Sequence, residues 1–307
     1  MMIPIFRPTG GQASGHPTRF HHQEYFMTIL VTGSRGSVAS TLIALLQEEG
    51  VEVRAASSGA EAAVRCDLKD PATFKAALEG VSALFLYAEA AHIGEFVQAA
   101  VDAEVQHVVL LSSSSVLEPG AAGDLLARQH LEVENALLAS PLATTILRPG
   151  SFAGNAKAWS RPIKSGRPIS LPFPDSHADP IDEADLAECA LAVLTRPELS
   201  GKAYRLTGPE SLTFRQQVDR VADVLGLAVD VRPVGREEWK AEMTDHVPGP
   251  YADALLDFWK RHDGKPVPVN HVVEELTGRP ALSFTDWLHD HSDDFVAATS
   301  GRLGWRP

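Results

Sequence analysis

From Met27 onward the apolar positions change period in a repeating order. The run Met27-Thr28-Ile29-Leu30-Val31 is followed by the turn Thr32-Gly33-Ser34-Arg35-Gly36-Ser37-Val38-Ala39, and then Val38, Leu42, Leu45 and Leu46 recur at helical spacing. A strand, a glycine turn and a helix are predicted, with Gly50 stopping the helix. A second strand is expected over Val51 to Ala56 and a third, short one ending near Cys66-Asp67. Asp70-Pro71 reads as an N-cap with proline at the first helical position, and Phe74, Ala77 and Leu78 supply that helix's buried side up to Gly80. Val81 to Leu86 and Val108 to Leu111 are continuous apolar runs of the kind buried on both faces of a parallel sheet. Between them lies a helix carrying Ile93, Phe96, Val97, Ala100 and Val101. A further helix near Leu125 to Leu138 leads to a strand over Ala143 to Leu147, after which Arg148-Pro149-Gly150 breaks the order.

The alternation implies an α/β fold, a Rossmann-type doubly wound parallel sheet with a smaller, mostly helical C-terminal lobe. Residues 27–155 make the nucleotide-binding domain and residues 156–307 the lobe. The two interleave, because a helix over Asp182 to Leu194 and a strand over Ala203 to Leu206 return segment 180–208 to the sheet. The last stretch reads as helices over Phe214 to Leu225, Tyr251 to Trp259, Val269 to Leu276 and Leu282 to Phe295. Its Trp239, Trp259 and Trp287 either wall an apolar cleft or are plain core. Residues 1–26 mix Pro, Gly, Ser and His without periodicity and read as a flexible extension. Met27 makes that extension an upstream translation start or a cloning remnant, with a functional tail as the weaker alternative.

Composition narrows the function classes. The 307 residues carry a net charge of −13, which repels phosphate backbones and anionic lipid and disfavours nucleic acid as a partner. No apolar stretch has the length of about 18 residues that a bilayer needs, so no membrane partner is expected. Cys66 and Cys189 lie in apolar patterns without metal-ligand spacing, which fits buried thiols, no metal and a reducing cytoplasm.

The candidate chemistry sits in the glycine turn. Gly33 allows a sharp turn, Gly36 lets a pyrophosphate approach the backbone, and Ala39 lets the helix pack close to the sheet. Free amides from Ser34 to Val38 and the helix dipole then face the anion, as in a dinucleotide site. The alternative is a glycine-rich connection with no ligand. At the end of the second strand, Arg54-Ala55-Ala56-Ser57-Ser58 offers no carboxylate for a ribose 2′-hydroxyl, so nothing repels a 2′-phosphate. Arg35 with Ser57 and Ser58 suits that phosphate, which makes NADP(H) the preferred cofactor and NAD(H) the second. Arg35 as a solvated side chain is the competing reading. Asp67, with Leu68, either meets the adenine end or caps the following turn.

The chain resembles the NmrA-like atypical short-chain dehydrogenases, a group that includes NAD(P)H-binding quinone reductases and redox-sensing regulators. The resemblance runs from Met27 to about Phe295. It rests on Ile29-Leu30-Val31-Thr32-Gly33 with Gly36, Cys66-Asp67-Leu68-Lys69-Asp70-Pro71, Ala77-Leu78-Glu79-Gly80-Val81 and Thr145-Ile146-Leu147-Arg148-Pro149. It continues through Pro180-Ile181-Asp182-Glu183-Ala184-Asp185-Leu186-Ala187, Tyr204-Arg205-Leu206-Thr207-Gly208-Pro209-Glu210 and Leu276-Thr277-Gly278-Arg279-Pro280. It implies a Rossmann domain, a small C-terminal lobe and a cleft between them.

Short-chain dehydrogenases commonly use a Tyr-x-x-x-Lys pair, in which lysine lowers the tyrosine pKa and tyrosine donates the proton. The four tyrosines here are followed at that spacing by Ile29, Ala91, Gly208 and Leu255. When Glu134 is matched to the family's glutamate, Leu126 and His130 take the two places. His130 then binds the ribose or donates a proton, or it packs inside an ordinary helix. Ser112, first of the serine run to Ser115, is a candidate for hydrogen-bonding substrate or nicotinamide, though such a run is also an ordinary loop. Tyr87 and Ala88 end the fourth strand where ligands collect in open sheets, and Pro149, Phe152 and Asn155 follow the sixth. Two functions follow: hydride transfer to a small acceptor such as a quinone or an enone, or a non-catalytic NAD(P)-binding redox sensor acting on a protein partner. Epimerase chemistry is a weaker third, and a homo-oligomer is compatible with either.

Overall fold

The computed structural model describes residues 27–59 and 61–296, so the extension expected over residues 1–26 lies outside them. The chain runs through β1 (Thr28–Val31), α1 (Ser37–Glu48), β2 (Glu52–Ser57), β3 (Val64–Arg65), α2 (Phe74–Leu78), β4 (Ala83–Tyr87) and α3 (Ile93–Asp102). It continues with β5 (His107–Leu111), α4 (Leu125–Leu138), β6 (Ala143–Pro149), α5 (Ser160–Lys164), β7 (Ile169–Leu171), β8 (His177–Ala178), α6 (Glu183–Thr195) and β9 (Ala203–Leu206). Then come β10 (Leu212–Thr213), α7 (Phe214–Leu225), β11 (Val231–Pro233), α8 (Arg236–Met243), α9 (Gly249–Arg261), α10 (Val272–Thr277) and α11 (Phe284–His291).

Seven strands pair in the order β3-β2-β1-β4-β5-β6-β9, every neighbour parallel. The continuous apolar runs are explained by burial on both faces. Ile29, Val31, Phe85, Val109 and Leu111 share a core with Leu42 and Leu46 of α1 and with Leu186 and Ala190 of α6. Leu30, Leu84, Leu86, Val108 and Leu110 face Phe74, Phe96, Val133 and Leu137 of α2, α3 and α4. The chain leaves β1 toward β2 on one side and reaches β4 on the other. This reversal opens a crevice at the carboxyl ends of β1 and β4, where open α/β sheets hold ligands.

Behind β6 the elements are shorter. A third core gathers Phe284, Trp287 and Leu288 of α11 with Val218 and Val221 of α7. A fourth holds Trp239 against Leu256, with Trp259 beside them. Of the two readings of the tryptophans, core holds for Trp287 and Trp239, both buried. Half-buried Trp259 meets Phe214 and Trp239 edge to face. Both cysteines are free and buried, and burial pushes the Cys66 thiol up to about 11. No helix of the described residues is long and apolar enough to cross a membrane.

Candidate functional site

The turn after β1 is held by its neighbours. The Thr32 hydroxyl donates to the Phe85 carbonyl at 3.1 Å and accepts the Tyr87 amide at 3.1 Å, while the Ser34 amide donates to Ala56 at 3.0 Å. The turn is thus tied to β4 on one side and β2 on the other. Gly33 has φ +61°, a conformation that a Cβ disfavours. Gly36 is the N-cap of α1 and has no side chain to satisfy the helix's first amides. Among the described residues the amides of Arg35, Ser37, Val38 and Ala39 meet no acceptor. Buried Val38 and Ala39 seat the helix on the sheet, whereas Gly33 and Ser37 are exposed. A row of unpaired amides at a helix N-terminus attracts an anion, so these residues fit a dinucleotide's diphosphate.

One side of this seat is cationic. A Cβ on Gly59 would stand 3.7 Å from the Arg35 guanidinium and 3.8 Å from the Ser57 hydroxyl, so both groups converge on that point at the end of β2. Arg35 pairs with no carboxylate among the described residues, and Ser58 is exposed. Arg54 takes no part, because its guanidinium is spent on the carbonyls of Ala77 and Glu79 at 2.9 and 2.7 Å. For Asp67 the capping reading has direct contacts: its carboxylate accepts the Lys69 amide at 3.1 Å and lies 3.7 Å from Arg65. Leu68 packs on the core beneath.

Beyond β6 the chain crosses the same crevice. Buried Pro149 pairs with Leu206 of β9, and the Ser151 amide donates to the Asp179 carboxylate at 3.2 Å. Phe152 is half-buried and bridged to Ile181, with the Ala153 amide bound to Ile181 at 2.9 Å. Exposed Asn155 reaches the Ser151 hydroxyl at 3.2 Å. A cleft of about 330 Å³ separates this turn from α1, lined by Ser37, Thr41, Asn155, Lys157, Glu183 and His291 among others. Glu183 accepts the Gly154 amide at 3.1 Å, and burial raises its pKa.

At the ends of β5 and β6 stands a polar cluster. The Ser112 hydroxyl donates to Glu134 at 2.5 Å, and Arg148 grips both oxygens of the same carboxylate at 3.0 and 2.5 Å. The Glu134 and Ser112 side chains are buried, so this bidentate pair is almost dry. His130, one turn before Glu134 on α4, has a buried Nδ1 with no partner among the described residues. Burial lowers its pKa from the ordinary 6.5, and the Glu134 charge opposes that shift. Gln129 binds the Ala88 carbonyl at 3.1 Å and so ties α4 to the end of β4. Leu126 lies one turn before His130 on the same helix.

The sequence reading used Glu134 only as a landmark and gave Arg148 no role. Their signal was present as one charge on the inner face of a helix and one in an apolar strand. The second carboxylate that it overlooked is Glu183. Among the described residues no group of three or more His, Cys, Asp or Glu is placed to hold a metal ion.

Residues 33–197 match the family described as NAD(P)H-binding. The (4-alkanoyl-5-oxo-2,5-dihydrofuran-3-yl)methyl phosphate reductase of Streptomyces griseus is 32% identical over 87% of this chain and 99% of its own. The NAD(P)H azoreductase of Xenophilus azovorans is 28% identical over 88% of this chain and its whole length. The NADPH-dependent quinone oxidoreductase of Escherichia coli, solved with NADPH, shares the fold with TM-score 0.73 at 22% identity, over 85% of this chain and 99% of its own. The chain belongs to the NAD(P)H-binding family and, within it, to the NmrA-like oxidoreductases that its motifs resemble.

Proposed function

We propose that the protein passes a hydride from NADPH to a small, electron-poor acceptor, a quinone or an enone. The observation that carries the cofactor choice is the corner at the end of β2, where Arg35 and Ser57 converge and no carboxylate stands. Guanidinium binds phosphate with charge-assisted hydrogen bonds, and the missing carboxylate leaves a 2′-phosphate unopposed. The amides of Arg35, Ser37 and Val38 hold the diphosphate, and Pro149 and Phe152 border the nicotinamide end. When bound, the cofactor supplies a hydride, and the acceptor takes one proton with it.

That proton comes from His130 or from water, because the Ser112 hydroxyl already gives its one proton to Glu134. A quinone or an enone accepts hydride readily, so the missing tyrosine and lysine leave the step feasible. Turnover is favoured over sensing because both sequence relatives described above are named as reductases. The name of the first also describes an unsaturated lactone conjugated with an acyl group, which supports an enone-like acceptor.

The test is a panel of quinones and enones, with oxidation of NADPH and of NADH followed by absorbance. NADPH is expected to be preferred, and Arg35→Glu to lower that preference by about 10- to 100-fold, the worth of one charge-assisted contact. Equal use of both cofactors by the unaltered protein would remove the role of Arg35. Binding without turnover on any acceptor would remove the reductase reading.

A further inference from the structure

Tyr87 stands where β4 ends, and its ring lies along the glycine turn. A Cβ on Gly33 would come within 2.8 Å of its Cδ2, and a Cβ on Gly36 within 2.8 Å of its hydroxyl. The ring also packs edge to face on Phe85, with centroids 5.6 Å apart, and leans on the core beneath α1. Both glycines are therefore required by this side chain, before any ligand is considered.

The hydroxyl has a second property. It stands over Gly36, the N-cap of α1, where the first amides of the helix lack acceptors among the described residues. A neutral phenol has a proton to give. Among the described residues that proton meets no acceptor, while the next groups along the turn are the unpaired amides of Ser37 and Val38. Burial and the Glu183 charge both keep the phenol neutral, so the proton stays in place.

We infer that Tyr87 is a diphosphate-binding residue, whose hydroxyl, poised over Gly36, donates its proton to a phosphate oxygen beside the free amides of the turn. This rests on the turn being the NAD(P)H site, and it extends that reading to a side chain which supplies a donor that backbone alone cannot. The alternative geometry is a plug: the hydroxyl fills the anion's place and has to be displaced when the cofactor enters. The two differ in the sign of one measurement.

Tyr87→Phe keeps the ring on Gly33 and Phe85 and removes only the hydroxyl. Calorimetric titration of the full chain with NADPH, 2′-phospho-ADP-ribose and 2′-AMP separates the contributions, since only the first two carry the diphosphate. The variant is expected to lose about tenfold in affinity for NADPH and for 2′-phospho-ADP-ribose, and nothing for 2′-AMP. Its thermal midpoint is expected to stay near that of the unaltered protein, which shows that the fold is kept.

Unchanged affinity for the diphosphate ligands would overturn the inference, and tighter binding would replace it with the plug. An equal loss for 2′-AMP would also overturn it, because the effect would then reach the whole site. If the unaltered protein binds none of the three probes, it is the cofactor reading that fails. Tyr87→Leu removes the ring as well and is expected to show the same selectivity between probes, so the inference does not depend on one variant.

Discussion

His130 is placed by helical period as much as by chemistry. With Ala127, Glu134 and Leu137 it forms the inner face of α4, so its ring is drawn from water and its pKa falls below 6.5. At neutral pH the folded protein therefore holds it uncharged. The unfolded chain protonates near 6.5 and the folded chain only at a lower pH, so folding stability is complete above 6.5 and declines as pH falls through the folded value. His107, half-buried with its ring 2.8 Å from the Thr145 hydroxyl, is shifted in the same direction by desolvation and adds to the decline. Two consequences are measurable. The His130 ring proton signal is expected to titrate below 6.5 in NMR, and His130→Gln to flatten part of the loss of urea resistance between pH 7 and pH 5. If His130 also donates the proton to the acceptor, kcat falls as pH rises through that low pKa, and the variant loses this limb. Identical pH profiles in the two proteins would assign the proton to water.

At the scale of elements, the crossing of two chain segments fixes the turn that carries Phe152. The Gly150 amide binds Leu206 at 2.9 Å, the Ile181 amide binds Ser151 at 2.8 Å, and the Gly208 amide reaches Asp179 at 3.3 Å. At Gly208 a Cβ would stand 1.8 Å from the Pro180 carbonyl oxygen, which is backbone and has nowhere to go. Gly208→Ala is expected to cost roughly 3 kcal/mol, the upper end for overpacking, and to lower the thermal midpoint by about 6–12 °C. A midpoint within a degree or two of the unaltered protein would show that the crossing yields.

Elements with a long period were legible: α4 begins and ends at the expected Leu125 and Leu138, and α7 at Phe214 and Leu225. Helix α8 was not, because REEWKAEM buries only Trp239 and gives no apolar stripe. It is held by that one tryptophan, packed on Ala252 and Leu256 of α9, with exposed ion pairs beside it, Arg236 to Asp257 at 2.7 Å and Lys240 to Asp253 at 2.8 Å. Two- and three-residue strands such as β8, β10 and β11 are too short to show a period at all. The glycine turn was readable from its spacing, whereas the Ser112, Glu134 and Arg148 cluster needed three distant segments to meet.

For the whole molecule, the question is what fastens the C-terminal helices to the sheet that carries the site. Arg279, which follows α10, faces α6 and pairs with Asp185 at 2.8 Å and with Glu188 at 2.7 Å. The Asp185 side chain is fully buried, and its second oxygen accepts the Leu282 amide at 2.8 Å, so two points of the C-terminal segment end on one carboxylate. Burial already raises the Asp185 pKa, and Arg279 pulls it down. Arg279→Met leaves that charge without its cation. The expected cost at pH 7.5 is about 2–3 kcal/mol in urea unfolding, less than for a wholly buried pair because a third of the Arg279 side chain is in water. The sign of the pH effect follows from the raised pKa. A folded state that binds the proton more tightly than the unfolded chain gains stability as pH falls toward the unfolded value of 3.8. In the variant the folded pKa rises further, so the gap between the two proteins is expected to narrow from pH 7.5 to pH 5. A gap that stays constant over that range would mean that Asp185 has the same charge in both proteins and that Arg279 does not set its titration.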